Sequence, residues 1–436
     1  MLANRKIFCN TPWYEIHIYW NGSFGICCQE AHKLHANDQK YNIASMTIMD
    51  WFNSEPAKNF RSRMLRDSKN SECQRCYNEE NNNGNSRRLK SNMKSVIFTR
   101  SAFDDSFLQS PGQKHFAHSF DNQGHTNTYP IDLHIDLGNY CNLACKMCNS
   151  SASSTIASQN VKWGIESDRQ YLGSDWTKNN DVWNNFKQQI LSIPNLNNIH
   201  FMGGETLLTN RFEDFVDTMI KHQRYELCFS FVSNGTVYNP GLVEKLKKFR
   251  RVGFEISIES LEQHNSYVRQ GTDTNQVLRN INRYLEHCNN SSITVALRPA
   301  PSLLTVGSYI SLLEFSLARG LIVKSNFCFR PRFLNIEILP KSIKELYKQR
   351  YVDFLKQFDN LSTDIDYNAS DPHQHHLVIK EQAQLCLALL NSPTPGDSDQ
   401  QLKDLVEHCR RWDKIYHLDA KKLYPELQEV WDRYAY

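Results

Sequence analysis

Three cysteines, Cys141, Cys145 and Cys148, stand in the run Cys-Asn-Leu-Ala-Cys-Lys-Met-Cys. The spacing C-x3-C-x2-C puts three thiolates on one short loop. Iron–sulfur clusters of the [4Fe–4S] type are held by thiolates, commonly four. A loop that offers three leaves one iron open to a small molecule, which makes it a place for chemistry. A structural zinc site asks for four closed ligands, and this loop supplies one too few.

The chain has 436 residues, enough for two or three domains and a sizeable core. A formal charge of +3 argues neither for a nucleic-acid-binding stripe nor for an acidic tail. No apolar run reaches the roughly 20 residues needed to span a bilayer, and the N-terminus lacks a secretory h-region. Thirteen cysteines, an odd number, point to metal ligation in a reducing compartment rather than a disulfide framework. The expected location is cytoplasmic, with neither membrane nor nucleic acid as a partner.

Four stretches follow from the pattern: 1–100, rich in cysteine; a polar linker at 101–128; 129–340, where short apolar runs alternate with helical ones; and a helical region at 341–436. The third stretch holds six strand candidates: Ile131–Leu137, Ile199–Met202, Leu227–Ser233, Phe254–Ile258, Ile293–Leu297 and Ile322–Phe329. Strands alternating with helices imply a parallel sheet, here a partial (β/α)6 TIM-like barrel.

Side chains switch faces at each strand residue. One parity collects His134 and Asp136, Ser230 and Asn234, Glu255, Ser257 and Glu259, and Lys324 and Cys328; the other is mostly apolar. With helices covering the apolar face, the polar set faces inward, where it needs a ligand or internal partners. An amphipathic sheet with one wet face is the simpler alternative. His134 and Asp136 are either structural polar residues or groups close to a ligand.

Active sites in such barrels lie at the C-terminal strand ends. The cysteine loop, Met202-Gly203-Gly204-Glu205, Ser233-Asn234-Gly235 and Ser257-Ile258-Glu259 end four successive strand candidates. At these residues the chain resembles the radical S-adenosylmethionine (SAM) superfamily. The resemblance implies that Cys141, Cys145 and Cys148 hold a [4Fe–4S] cluster whose open iron binds SAM. It places Gly203, Gly204 and Glu205 at the SAM amino group, Ser257 and Glu259 at the ribose, Asn234 close by, and Arg269 at the SAM carboxylate. Met147 stands where the family usually carries an aromatic residue, and its thioether can pack on adenine. The implied activity is reductive cleavage of SAM to a 5′-deoxyadenosyl radical that takes a hydrogen atom from a substrate.

Cys9, Gly22, Cys27, Cys73 and Cys76 form C-x12-G-x4-C followed by C-x2-C. The run between Cys9 and Cys27 reads as a β-hairpin turning at Asn21-Gly22. This pattern resembles the twitch, or half-SPASM, module, whose four cysteines hold an auxiliary [4Fe–4S] cluster. Here it precedes the barrel and forms an α+β cluster domain. Spacing favours Cys27 over Cys28 as the ligand, and a zinc ribbon is the alternative.

Of the remaining cysteines, Cys228, Cys288, Cys386 and Cys409 read as core residues. Cys328 shares the inward parity and is a candidate hydrogen-atom donor to a substrate radical. The aromatic-rich C-terminal helices read as a cover for the barrel, with a substrate lid as the sharper alternative. By resemblance, the substrate is a peptide or protein side chain and the reducing partner a flavodoxin or ferredoxin. Radical chemistry on a nucleotide or small molecule, or a structural metal-binding interaction protein, are the other readings.

Overall fold

The computed structural model describes residues 7–30, 39–83, 86–92, 116, 118–173, 175–359 and 372–435. The chain divides into two compact units. The first comprises Met1–Tyr140, Gly164–Phe231 and Glu244–Val252; the second comprises Cys141–Trp163, Val232–Val243 and Gly253–Tyr436.

In the first unit, β1 (Glu15–Ile18) and β2 (Phe24–Gly25) form the expected hairpin. Gly22 sits in its turn at φ +83°, a conformation that favours glycine. β3 (Asp132–Asp136) pairs in parallel with β1 on one side and with β5 (Asn198–Met202) on the other. β6 (Cys228–Ser233) then pairs with β5. The hairpin thus extends the edge of the parallel sheet. Parallel pairing between segments more than a hundred residues apart leaves no local trace in sequence.

Alternation is clean on β5 and β6. Ile199, Phe201, Phe229 and Phe231 are buried, while His200 and Ser230 lie on the half-buried polar face. Helices α1 (Asn180–Ser192) and α2 (Asn210–Lys221) cover the apolar face. Phe215 of α2 lies 5.1 Å from Phe201 between ring centroids. Asp214 accepts hydrogen bonds from Trp183 Nε1 and Lys187 Nζ, each at 2.6 Å, which ties the two helices together.

Within the expected linker, residues 118–128 bond to the first unit. Ser119 accepts from Trp13 Nε1 at 2.8 Å, Gly124 O accepts from Arg61 Nε at 2.6 Å, and Thr126 bonds Asn53 through its backbone N–H and C=O.

In the second unit, the end of β6, β7 (Arg251–Ile256, whose first two residues belong to the first unit), β9 (Ile293–Leu297) and β10 (Ile322–Val323) continue the parallel pattern. Ser257 N donates to Ser233 O, and Arg298 N to Ile256 O, both at 2.8 Å. A small antiparallel ladder joins β4 (Ala144–Cys145) to β8 (Arg269–Gln270), with Cys145 opposite Arg269.

The expected strand Ile322–Phe329 is cut to two residues. Lys324, Asn326 and Cys328 still donate to the carbonyls of Leu297, Pro299 and Pro301 at 2.8–2.9 Å. Pro299 and Pro301 have no N–H to donate back, so the ladder is one-sided and the strand ends early. Cys328 therefore sits on an extended connection. The C-terminal region is helical as expected, with α3 (Lys341–Leu355), α4 (Pro372–Asn391) and α5 (Ser398–Tyr416) its longest helices. Among the described residues, no helix is long and apolar enough to cross a membrane.

Candidate active site

The cysteine loop is fixed by the helix that follows it. Ser153 caps that helix (Ser154–Lys162) by accepting from Ile156 N at 3.3 Å, and its hydroxyl donates to Leu143 O at 2.7 Å. Thr155 Oγ1 donates to Cys141 O at 2.6 Å, and Cys141 N donates to Ser154 Oγ at 3.3 Å. Cys145 is buried, Cys141 half-buried and Cys148 exposed. Cys145 donates to Cys148. That bond raises the Cys145 pKa, assisted by burial, and lowers that of Cys148, with Arg269 favouring the thiolate of both. Two thiols in contact beside a cation form a donor set suited to a metal.

Arg269 was expected at the SAM carboxylate and Glu259 at the ribose. The two engage each other. Nε and Nη2 of Arg269 donate to Glu259 Oε1 at 2.9 and 2.7 Å, and Nη1 points at Cys145 Sγ, 3.7 Å away. The other Glu259 oxygen accepts the backbone N–H of Ala300, and Asn265 Oδ1 receives the Glu259 N–H at 2.8 Å. Asn234 Nδ2 donates to Asn142 Oδ1 at 2.8 Å. This links the third strand end to the cysteine loop. Ser257 is half-buried just past β7, and Met147 is half-buried on the loop.

Gly203, Gly204 and Glu205 lie in the first unit. Gly203 has φ +92° and Gly204 φ +53°. A Cβ on Gly204 would lie 2.1 Å from Tyr140 O, and one on Gly203 2.5 Å from Gly138 O. Glu205 N donates to Tyr140 O at 2.7 Å, and its carboxylate caps the next turn at Leu207 N, 3.0 Å away. The glycines thus let this strand end close on the backbone that leads into Cys141.

Lys146 was not singled out in sequence. It is buried, and its ammonium stands 4.2 Å from the Tyr267 ring centroid and 4.1 Å from that of Trp412. Its Nζ has no hydrogen-bond partner, and burial lowers its pKa to about 7. Trp412 of α5 also packs on Ala144 and Ile156. The expected aromatic cover therefore sits directly on the cysteine loop. A lysine between two cluster cysteines was the only sequence signal.

Cys328 donates to Arg330 O at 3.2 Å, and burial, with the Glu259 charge, pushes its thiol up to about 12. It stays a thiol at neutral pH.

In the N-terminal region, Cys9 and Cys76 are buried and Cys27 and Cys73 half-buried. Burial raises all four thiols, and mutual charge adds to it: Cys9 feels Cys76, Cys27 feels Cys9, and Cys73 feels both Cys9 and Cys76. Four thiols that repel one another as thiolates suit a metal centre that neutralises them. Arg88, missed in sequence, offsets this charge. Its backbone N–H and its guanidinium favour the Cys76 thiolate, and the guanidinium is anchored on Phe8 O at 2.8 Å. Cys28 acts on Cys27 more strongly than Cys9 does, and it also groups with Glu15 and His134.

A tetrahedral zinc with bonds of about 2.3 Å holds its sulfurs about 3.8 Å apart. Among the described residues, no three thiols of either set fall within 4.8 Å of one another.

Residues 135–299 match the model of the radical SAM superfamily, and residues 9–77 match that of an iron–sulfur cluster-binding domain, SPASM. Residues 135–299 thus form a domain of the radical SAM type. A SPASM/twitch-type region precedes its radical SAM domain. The protein is 26% identical over 257 residues to the radical SAM cyclopropyl synthase TigE of Paramaledivibacter caminithermalis, covering 50% of this chain and 52% of that one. The chain thus spans about half the length of that curated relative. Among solved structures it is similar to anSMEcpe with bound AdoMet (18% identity, TM-score 0.37, 52% of this chain and 62% of the other). It is also similar to Streptococcus suis SuiB bound to precursor peptide SuiA (12%, TM-score 0.36, 69% and 63%).

Proposed function

We propose that this radical SAM enzyme uses a [4Fe–4S] cluster on Cys141, Cys145 and Cys148, with SAM at its open iron. When bound, that pair supplies a 5′-deoxyadenosyl radical able to take a hydrogen atom from substrate. The observation that carries the reading is the three-thiol loop with Arg269 against Cys145 and no fourth ligand in its spacing.

The chain's own residues then divide the work. Glu259 holds Arg269, and Arg269 sets the charge beside Cys145. Asn234, Ser257 and Met147 are the proposed SAM contacts from strand ends and loop, and Gly203, Gly204 and Glu205 that from the second strand end. Lys146 and Trp412 close the outside of the loop against water. Cys328, kept protonated, is the proposed hydrogen-atom donor. Cys9, Cys27, Cys73 and Cys76 are the proposed ligands of an auxiliary [4Fe–4S] cluster for electron transfer or substrate binding, with a flavodoxin or ferredoxin as reductant. The proposed boundaries remain 1–100 for the cluster-bearing region, 129–340 for the barrel and 341–436 for the helical cover.

A peptide or protein side chain is the proposed substrate. The support is the pairing of a SPASM-type region with a radical SAM domain, an association that accompanies peptide modification in many relatives. Anaerobic protein with dithionite and SAM should form 5′-deoxyadenosine, and Cys145→Ala should abolish it. Co-expression with a short neighbouring open reading frame should change that peptide's mass. No 5′-deoxyadenosine from protein carrying its full iron would refute the enzyme reading; an unmodified peptide would refute only the substrate.

A further inference from the structure

Three histidines stand abreast on three consecutive parallel strands. His17 of β1 is in register with His134 of β3, and His134 with His200 of β5. Their ring centroids are 4.5 and 4.7 Å apart. Asp136 is two residues beyond His134, on the same face of the strand. Its Oδ1 lies 3.2 Å from His17 Nε2 and 4.0 Å from His134 Nε2. One ligand atom from each of His17, His134 and Asp136 falls within 4.8 Å of the other two.

We propose that His17, His134 and Asp136 form a mononuclear site for a divalent first-row transition ion, distinct from both cysteine sets. Two imidazoles and one carboxylate on a single face are the donor set of such sites, and they suit iron(II), manganese(II) or zinc(II). Metal–ligand bonds of about 2.1 Å put neighbouring donors about 3.0 Å apart in an octahedron and about 3.4 Å in a tetrahedron. The observed 3.2 Å already fits, and the 4.0 Å edge needs only a small ring movement.

The donors are shielded from water: His17 is 4% and His134 8% exposed. Metal-bound histidines are usually oriented by a carboxylate beyond the first ligands. Here Glu15 supplies one: it groups with a ring nitrogen of His134 and with Cys28 Sγ within 4.8 Å, and its Oε1 is buried and unpartnered. Asp136 is half-buried and gives the ion a way in. His200 is left out of the donor set because its ring nitrogens do not group with those of His17 and His134 and the Asp136 carboxylate.

The test uses whole protein with its thiolate-bound iron in place and oxidised, and Co(II) as the probe. Equilibrium dialysis and the high-spin Co(II) EPR signal should show one ion per chain. Asp136→Asn and His17→Ala should each weaken binding at least tenfold, and His200→Ala should leave it unchanged. Iron content and far-UV circular dichroism establish that each variant is folded. Asp136→Asn, which keeps the shape of the side chain, decides the matter if His17→Ala does not fold. Failure of the wild type to bind Co(II), or equal binding by the wild type and Asp136→Asn, overturns the proposal. Neither result bears on SAM cleavage, which is read separately as 5′-deoxyadenosine.

Discussion

Arg269→Met should be the most damaging single change near the cysteine loop that removes no cysteine. The Glu259 side chain is fully buried and that of Arg269 is 10% exposed. Glu259 is held by two donors of one guanidinium and one backbone N–H. Removing the cation leaves a buried carboxylate with the Ala300 amide alone. Breaking a buried pair this way costs about 3–5 kcal/mol, against about 1 kcal/mol or less for a surface pair. Losing the long stem of arginine adds to the cost. Replacing both residues, as in Glu259→Gln with Arg269→Met, should recover part of the loss, because no uncompensated charge then remains. Urea denaturation of the cluster-free protein, run as a double-mutant cycle, measures the coupling. A coupling of about 2 kcal/mol or more is expected. Arg269→Met within 1 kcal/mol of wild type, with no coupling, would mean that water screens the pair, and the clamp beside Cys145 would have to be abandoned.

Other perturbations are equally specific. Gly204→Ala puts a methyl 2.1 Å from Tyr140 O at φ +53°; it should cost at least about 1–2 kcal/mol from conformation alone and lower iron incorporation. Gly241→Ala, whose nearest contact is 3.6 Å away, should be neutral in the same assays. Cys27→Ser should remove about half of the bound iron, as expected if two clusters of equal size are present, while Cys28→Ser should retain it. His408, whose pKa burial lowers to about 3, binds its proton more readily when unfolded. Its contribution is therefore full above pH 6.5 and is lost as the pH falls towards 3, about 2 kcal/mol at pH 5. His408→Phe should flatten that part of the stability profile, and an unchanged profile would show that His408 is not the titrating group.

Local chemistry made much of this site legible. Three cysteines on one loop, a glycine pair at a strand end and the inward parity of Glu255 and Lys324 all rest on spacing, and the parity appears as an ion pair with Nζ 2.7 Å from Oε1. What stayed hidden depends on pairing between distant segments. The parallel union of Glu15–Ile18 with Asp132–Asp136 has no signature in either strand, so the histidine row it creates was invisible. Sequence shows the charge of Arg269 but not the buried Glu259 that pairs with it. Pro299 and Pro301 could have warned that the strand beside them would be cut short.

EPR of the reduced protein with and without SAM tests the central claim most directly. If the iron without a thiolate is where SAM docks, SAM should change the signal of the cluster on Cys141, Cys145 and Cys148, and Cys148→Ala should abolish that response while the N-terminal signal persists. A spectrum indifferent to SAM in protein with its full iron content would contradict the account.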